Sequence, residues 1–281
     1  CQAMKVAAIQ MVSSTRLADN LDRAGELIAE AARGGAELAV LPEYFCLLGQ
    51  RDTDKLAIRE PFGCGPIQRF LSGMARDHGV WLVGGTLPLT VEGSEVPPQA
   101  DRVFNSALAF APDGRCVARY DKMHLFRFDN GAERYDEARV LQAGALPHLF
   151  ELPSVDGHVW RVGLSVCYDL RFPELYRHYT AQGADLLLVP SAFTHGTGQA
   201  HWELLLRARA VENLACVAAA AQGGLHENGR RTWGHTMVVD PWGAILARRE
   251  ADGEGVVLAD LDARQLARCR AQLPALEHRR L

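Results

Sequence analysis

The sequence predicts an α/β domain, and three observations carry that prediction. Short apolar, β-prone runs alternate with amphipathic helical stretches along 281 residues, with no internal repeat or low-complexity linker. Residues 159–166 and 185–190 read as strands bracketing a helix at 173–182, the βαβ pattern of parallel strands. Two turn signals, Pro112-Asp113-Gly114 and Pro241-Trp242-Gly243, sit between apolar runs as hairpin tips.

In chain order, residues 5–11 form a first buried strand. Residues 17–32 form an alanine-rich amphipathic helix that stops at Gly34-Gly35. A short strand at 38–41, a helix at 66–78 opened by Pro66, and a strand at 80–86 follow. Residues 91–99, rich in proline and charge, read as an exposed loop. The first hairpin pairs 104–110 with 116–121, and the polar stretch 128–144 is long enough to suggest an irregular functional loop. After the βαβ unit come a helix at 201–213 and a strand at 215–221. The second hairpin pairs 233–240 with 244–248.

Composition narrows the function classes. With 48% hydrophobic residues, a chain of this length buries a large core and stands as one domain over 1–281. A formal net charge of −4 gives no basic field for nucleic acid or an anionic membrane. Arg248-Arg249 and His278-Arg279-Arg280 are short basic clusters of the solvated kind. No apolar run approaches the roughly 20 residues that span a bilayer, and the amino end lacks a secretory pattern. Cys1-Gln2-Ala3, ahead of Met4, reads as a remnant outside the native chain. The seven cysteines form no Cys-x-x-Cys pair and no even framework, which fits a reducing cytoplasm.

Three segments concentrate reactive groups. An apolar run ends at Cys167, followed by Tyr168-Asp169-Leu170-Arg171-Phe172 and a proline-started helix. A side chain on such a strand-to-helix turn is presented at the carboxyl end of a sheet. The neighbouring helix-start N–H groups would favour thiolate over thiol. Glu43 follows the run Leu38-Ala39-Val40-Leu41-Pro42, and Lys122 follows the strand-like Arg119-Tyr120-Asp121. Each alone has a plain reading, as a buried thiol, a turn glutamate or a surface lysine. Together they offer a nucleophile, a general base and an oxyanion donor, the roles acyl transfer needs. No two are adjacent in sequence, so only the fold can bring them together.

Leu41-Pro42-Glu43, Lys122-Met123-His124-Leu125-Phe126 and Cys167-Tyr168-Asp169-Leu170-Arg171-Phe172-Pro173-Glu174 stand in an order and at spacings that resemble the nitrilase superfamily of carbon–nitrogen hydrolases. Ser191-Ala192-Phe193, His201-Trp202-Glu203 and Gly234-His235-Thr236 through Gly243 extend the resemblance over nearly the whole chain. It is similar in particular to the Nit branch of amidases. The resemblance implies a four-layer α-β-β-α sandwich and a homodimer or higher homo-oligomer. It also implies a Glu–Lys–Cys triad of Glu43, Lys122 and Cys167, working without metal or other cofactor on a small amide. By the same resemblance Glu137 is a second glutamate that orients Lys122, with Glu133 its nearby competitor. Arg171 binds a substrate carboxylate, although an ion pair with Asp169 or Glu174 competes for it. Thr197, Phe193 and Tyr168 line its pocket, and Tyr44 is a weaker candidate. His201 and His235 read as structural hydrogen-bonding residues, and Trp202, Trp233 and Trp242 as core or interface anchors.

The expected substrate is deaminated glutathione, an α-keto acid amide, with α-ketoglutaramate as the alternative. Segments 218–224 and 191–193 look more like the first branch. Rivals fit less well. A papain-like peptidase needs a Cys-Gly-x-Cys-Trp context that is absent, true nitrilases carry Trp-Glu after the cysteine, and carbamoylases carry Asn-Asp-Arg-Arg. Lipoprotein acyltransferases need membrane helices. A catalytically silent scaffold would have had no use for intact Glu43, Lys122 and Cys167.

Overall fold

A computed structural model describes residues 3–91 and 102–281; the loop expected at 91–99 lies almost wholly outside them. Two sheets stack face to face. In the first, the order is Gly255–Leu261, Met4–Gln10, Leu38–Val40, Trp81–Val83, Val103–Phe110, Leu87–Thr90. Cys116–Asp121 and Leu141–Gln142 also pair with Val103–Phe110. The second runs Leu149–Pro153, Val159–Leu164, Leu186–Leu188, Cys216–Ala219, Met237–Val239, Ile245–Arg248. At the centre of each sheet three strands run parallel.

The period of two along each strand divides the core. Val6 and Ala8 turn toward the second sheet and meet the cluster that holds Trp160, Val162 and Leu164. Their neighbours Ala7 and Ile9 turn outward to the helices α1 (Leu17–Arg33) and α2 (Pro66–His78). Helix α1 presents Asn20, Ala24, Leu27, Ile28 and Ala31, spaced to fall on one face. On the other side α3 (Pro173–Ala181) and α4 (His195–Asn213) cover the second sheet with Leu175, Tyr179, Trp202 and Leu206. The result is the four-layer α-β-β-α sandwich that the motifs implied.

Several boundaries moved. The 80–86 strand ends at Val83, because Gly84 and Gly85 turn the chain before Leu87–Thr90. Helix α4 begins at His195, six residues before the expected start. The Thr194 hydroxyl caps it by accepting from the Thr197 N–H. Gly196 and Gly198 disguise this turn as loop, yet Gly198 is required by packing: a Cβ there would lie 2.2 Å from Trp233 Cβ. The stretch 128–144 is not irregular; it holds a hairpin of Arg127–Asp129 with Arg134–Asp136, a 3-10 turn Glu137–Arg139 and the strand Leu141–Gln142. The edge strand Gly255–Leu261, helix α5 (Ala263–Gln272) and the 3-10 turn Asp52–Ile58 had no counterpart in the sequence reading. No described helix is long and apolar enough to cross a membrane.

Candidate active site

Strand ends deliver the reactive groups. Glu43 follows Leu38–Val40, Lys122 follows Cys116–Asp121, and Cys167 opens the 3-10 turn Cys167–Arg171 just after Val159–Leu164. The Pro42-Glu43 loop seats closely on Gly85, whose φ is +56° and where any Cβ would stand 2.0 Å from the Pro42 carbonyl oxygen. Cys167 itself has φ +49°, a left-handed conformation that costs strain in a residue with a side chain. Its N–H donates to the Pro190 carbonyl at 3.0 Å. This is the geometry of a side chain turned out of a sharp strand-to-helix elbow.

Lys122 is fully buried between two carboxylates. Its Nζ donates to Glu43 Oε1 at 3.1 Å and to Glu137 Oε1 and Oε2 at 3.0 and 2.8 Å. Burial alone would push the ammonium's pKa down, but Glu137 and Glu43 outweigh it and hold it well above the usual lysine range. Burial likewise disfavours the Glu137 carboxylate, and Lys122 together with the Phe126 N–H (2.8 Å) reverses that, lowering its pKa. Glu43 is oriented from three sides: Lys122 and Asn105 Nδ2 (2.9 Å) on Oε1, and the Ala192 N–H (3.0 Å) on Oε2. Tyr44 OH donates to Glu137 Oε1 at 3.3 Å. Its pKa stands well above the ordinary value through burial and then the Glu137 charge, so it stays a donor.

Cys167 lines the same cavity as Glu43 and Glu137, about 670 Å³ in size including its mouth, and keeps 8% of its surface open. Its charge state corrects one expectation. Burial first, and then the Glu43 carboxylate, push the thiol pKa well above its ordinary value. Lys122 and the Ala192 N–H only partly oppose them. The surroundings favour the thiol, against the thiolate that the N–H groups of the following turn were expected to favour.

Arg171, Tyr168, Phe193 and Thr197 all line this cavity. Arg171 meets neither Asp169 nor Glu174; it leans over the Phe193 ring at 5.6 Å and reaches His201 Nδ1 at 3.2 Å. Asp169 is instead fully buried and engaged elsewhere. It accepts from Tyr120 OH (2.6 Å), the Val166 N–H (2.8 Å) and the His124 N–H (3.1 Å), and it contacts His124 Nδ1 at 2.7 Å. One carboxylate thus ties the Lys122 segment to the Cys167 turn. Glu133 is exposed, Lys122 bonds Glu43 and Glu137 instead, and the Glu133 N–H donates to Asn130 Oδ1. Trp202 is core and Trp233 half-buried, whereas Trp242 is exposed. Among residues the sequence reading passed over, Asn105 had a signal, a polar side chain inside the apolar strand Val103–Phe110. The Ala192 N–H had none, being backbone. Lys55 and Arg230, also in the cavity wall, looked like ordinary surface cations.

A two-sheet sandwich that sets a thiol and two carboxylates in one cavity, with a buried ammonium bonded to both carboxylates behind it, has the groups of a hydrolase of the amidase type. The chain belongs to the carbon-nitrogen hydrolase family, whose model matches residues 5–271. A deaminated glutathione amidase from Synechocystis is 42% identical over 97% of both chains. A human omega-amidase is 36% identical, covering 99% of this chain and 95% of its own. The crystal structure of Saccharomyces cerevisiae Nit3, a member of branch 10 of the nitrilase superfamily, superposes with a TM-score of 0.85 at 31% identity. It covers all of this chain and 97% of its own.

Proposed function

We propose that this enzyme hydrolyses deaminated glutathione, releasing α-ketoglutarate and cysteinylglycine. The observation that carries the proposal is the shared cavity of Cys167, Glu43 and Glu137, joined to Lys122 and edged by Arg171. Because the sulfur rests as a thiol, attack on the amide carbonyl is coupled to proton transfer from Sγ to Glu43. Glu43 passes that proton to the departing nitrogen as the C–N bond breaks, leaving a thioester on Cys167. Glu43 then takes a proton from water, the hydroxyl adds to the thioester, and the acid departs as the thiol is restored. Lys122 stabilises the oxyanion in both halves, aided by the Tyr168 N–H, which as the second residue of its turn has no acceptor within it. Glu137 holds Lys122 in place and assists proton movement, and Arg171 with Thr197 takes the substrate's keto-acid carboxylate.

α-Ketoglutaramate presents the same acyl portion and differs in losing ammonia, and the human omega-amidase likeness keeps it as a second reading. Specificity constants for the two amides, with cysteinylglycine and ammonia quantified, decide between them. A higher constant for α-ketoglutaramate would reject the first. Cys167→Ala is expected to abolish turnover of both while leaving the circular dichroism spectrum unchanged, and retained hydrolysis would remove the nucleophile. We further propose a homodimer or larger homo-oligomer in a reducing cytoplasm. Leu204 and Val211, one heptad apart on α4 and exposed, offer an apolar contact beside the exposed Trp242, and sedimentation of Leu204→Glu tests it.

A further inference from the structure

We infer that Lys55 and Arg230 form an anion-binding subsite that takes a carboxylate carried on the leaving-group side of the amide. The inference rests on the amidase reading of the cavity and adds what the cavity selects. Both residues line the wall of the pocket that holds Cys167. Among the described residues, neither side chain forms a salt bridge or a hydrogen bond. Instead each lies against an aromatic face: Lys55 Nζ is 4.6 Å from the Tyr44 ring centre, and the Arg230 guanidinium 5.3 Å from that of Tyr135. Aromatic faces position a cation without neutralising it, so its attraction for an incoming anion is kept.

The neighbourhood agrees. Burial draws the Lys55 ammonium below its ordinary pKa; Glu137, Asp52 and Glu43 oppose this and do not cancel it, while Arg230 adds to the pull. The half-buried ammonium is therefore short of negative charge, which a bound carboxylate would supply. Of the acids on this rim, Asp136 leans to Arg139 at 3.8 Å and Asp52 is exposed.

Position supplies the rest. Arg171 stands against Phe193 and α4, whereas Lys55 and Arg230 stand against Tyr44 and Tyr135, on the loop after Glu43 and on the 127–136 hairpin. A substrate with its acyl carboxylate on Arg171 and its amide at Cys167 extends its leaving group toward the second pair. A peptide-like leaving group ending in a free carboxylate reaches it, and ammonia leaves it unused.

The test compares two amides of α-ketoglutarate with one dipeptide, its C-terminus free in one and carboxamide in the other. Each is assayed with wild type, Lys55→Met, Arg230→Gln and the double variant. The wild-type ratio of kcat/KM is expected to favour the free acid by about tenfold or more, the usual scale of a charged hydrogen bond. It should fall toward one in the double variant, and Lys55→Arg should keep it, separating charge from packing. A wild-type ratio near one, or a ratio the variants leave untouched, overturns the subsite. Calorimetric binding of the same pair to Cys167→Ala reads the subsite without turnover. Preference for the acid, erased by adding Lys55→Met and Arg230→Gln, supports it, and equal affinities overturn it. Failure of the amidase reading shows separately, as absent hydrolysis by wild type.

Discussion

The Glu43–Lys122–Glu137 corner and the rim of Arg171, Lys55 and Arg230 treat charge in opposite ways. In the corner every charge is answered by another side chain or a backbone N–H within 3.1 Å. At the rim, three cations rest on aromatic rings and meet no carboxylate of the described chain. Burying charges costs several kcal/mol per ion, which pairing offsets at best approximately. On the proposed mechanism the corner is a costly device that fixes donor and base before substrate arrives. The rim is inexpensive to fold, being partly solvated, and on the proposed reading its counter-charge comes from the substrate. On that mechanism, chemistry is built into the first region and selection into the second.

Removing one charge from each region separates the two. Lys122→Met deletes the oxyanion donor, and kcat should fall by about 10² to 10³. It also leaves Glu43 and Glu137 buried without their shared cation, so stability should drop by about 3–5 kcal/mol in denaturant melts. Adding Glu137→Gln should recover part of that stability and none of the activity. Arg171→Met should instead raise KM by about tenfold or more through the lost carboxylate contact. Its stability should stay within about 0.5 kcal/mol of wild type. If both substitutions destabilised equally, the contrast between corner and rim would fail.

A gentler perturbation probes the thiol. Glu43 raises the Cys167 pKa and Lys122 lowers it, so the two should move the sulfur in opposite directions. In Glu43→Gln the rise in iodoacetamide alkylation with pH should shift to lower pH, because a negative charge that disfavours thiolate is gone. In Lys122→Met it should shift to higher pH. Turnover falls in both, so only the alkylation profile distinguishes their signs.

What the sequence revealed follows the same division. Cys167 and Glu43 each end an apolar run and Lys122 follows a strand-like stretch, and a reactive side chain after a strand is a local signal. The layers were legible too, because the nearly continuous apolar run of Met4–Gln10 and the buried face of α1 are written residue by residue. The strand Gly255–Leu261 was missed because its partner, Met4–Gln10, lies some 250 residues away. Helix α5 buries only Leu266 and Cys269, too few for an amphipathic signal. Asp169 appeared as an ion-pair partner for Arg171, and its real bonds run to Tyr120, His124 and Val166, two of them from a distant segment. Lys55 sits on a 3-10 turn with no buried residue, so nothing in its surroundings marked it as facing a cavity. Asn105 excepted, the groups whose role depends on a contact across the fold left no local trace.

Salt provides the smallest effect and the least invasive comparison. The screening length falls from about 10 Å at 0.1 M ionic strength to about 3 Å at 1 M. Rim cations open to solvent should lose much of their pull on an anionic substrate over that range. The corner, with Lys122 and Glu43 sealed from water, should not respond. KM for a dicarboxylate amide is therefore expected to rise several-fold with added sodium chloride while kcat holds. KM for a neutral amide should barely change. A fall in kcat of similar size would mean that mobile ions reach the corner and that its charges are not closed off by the protein.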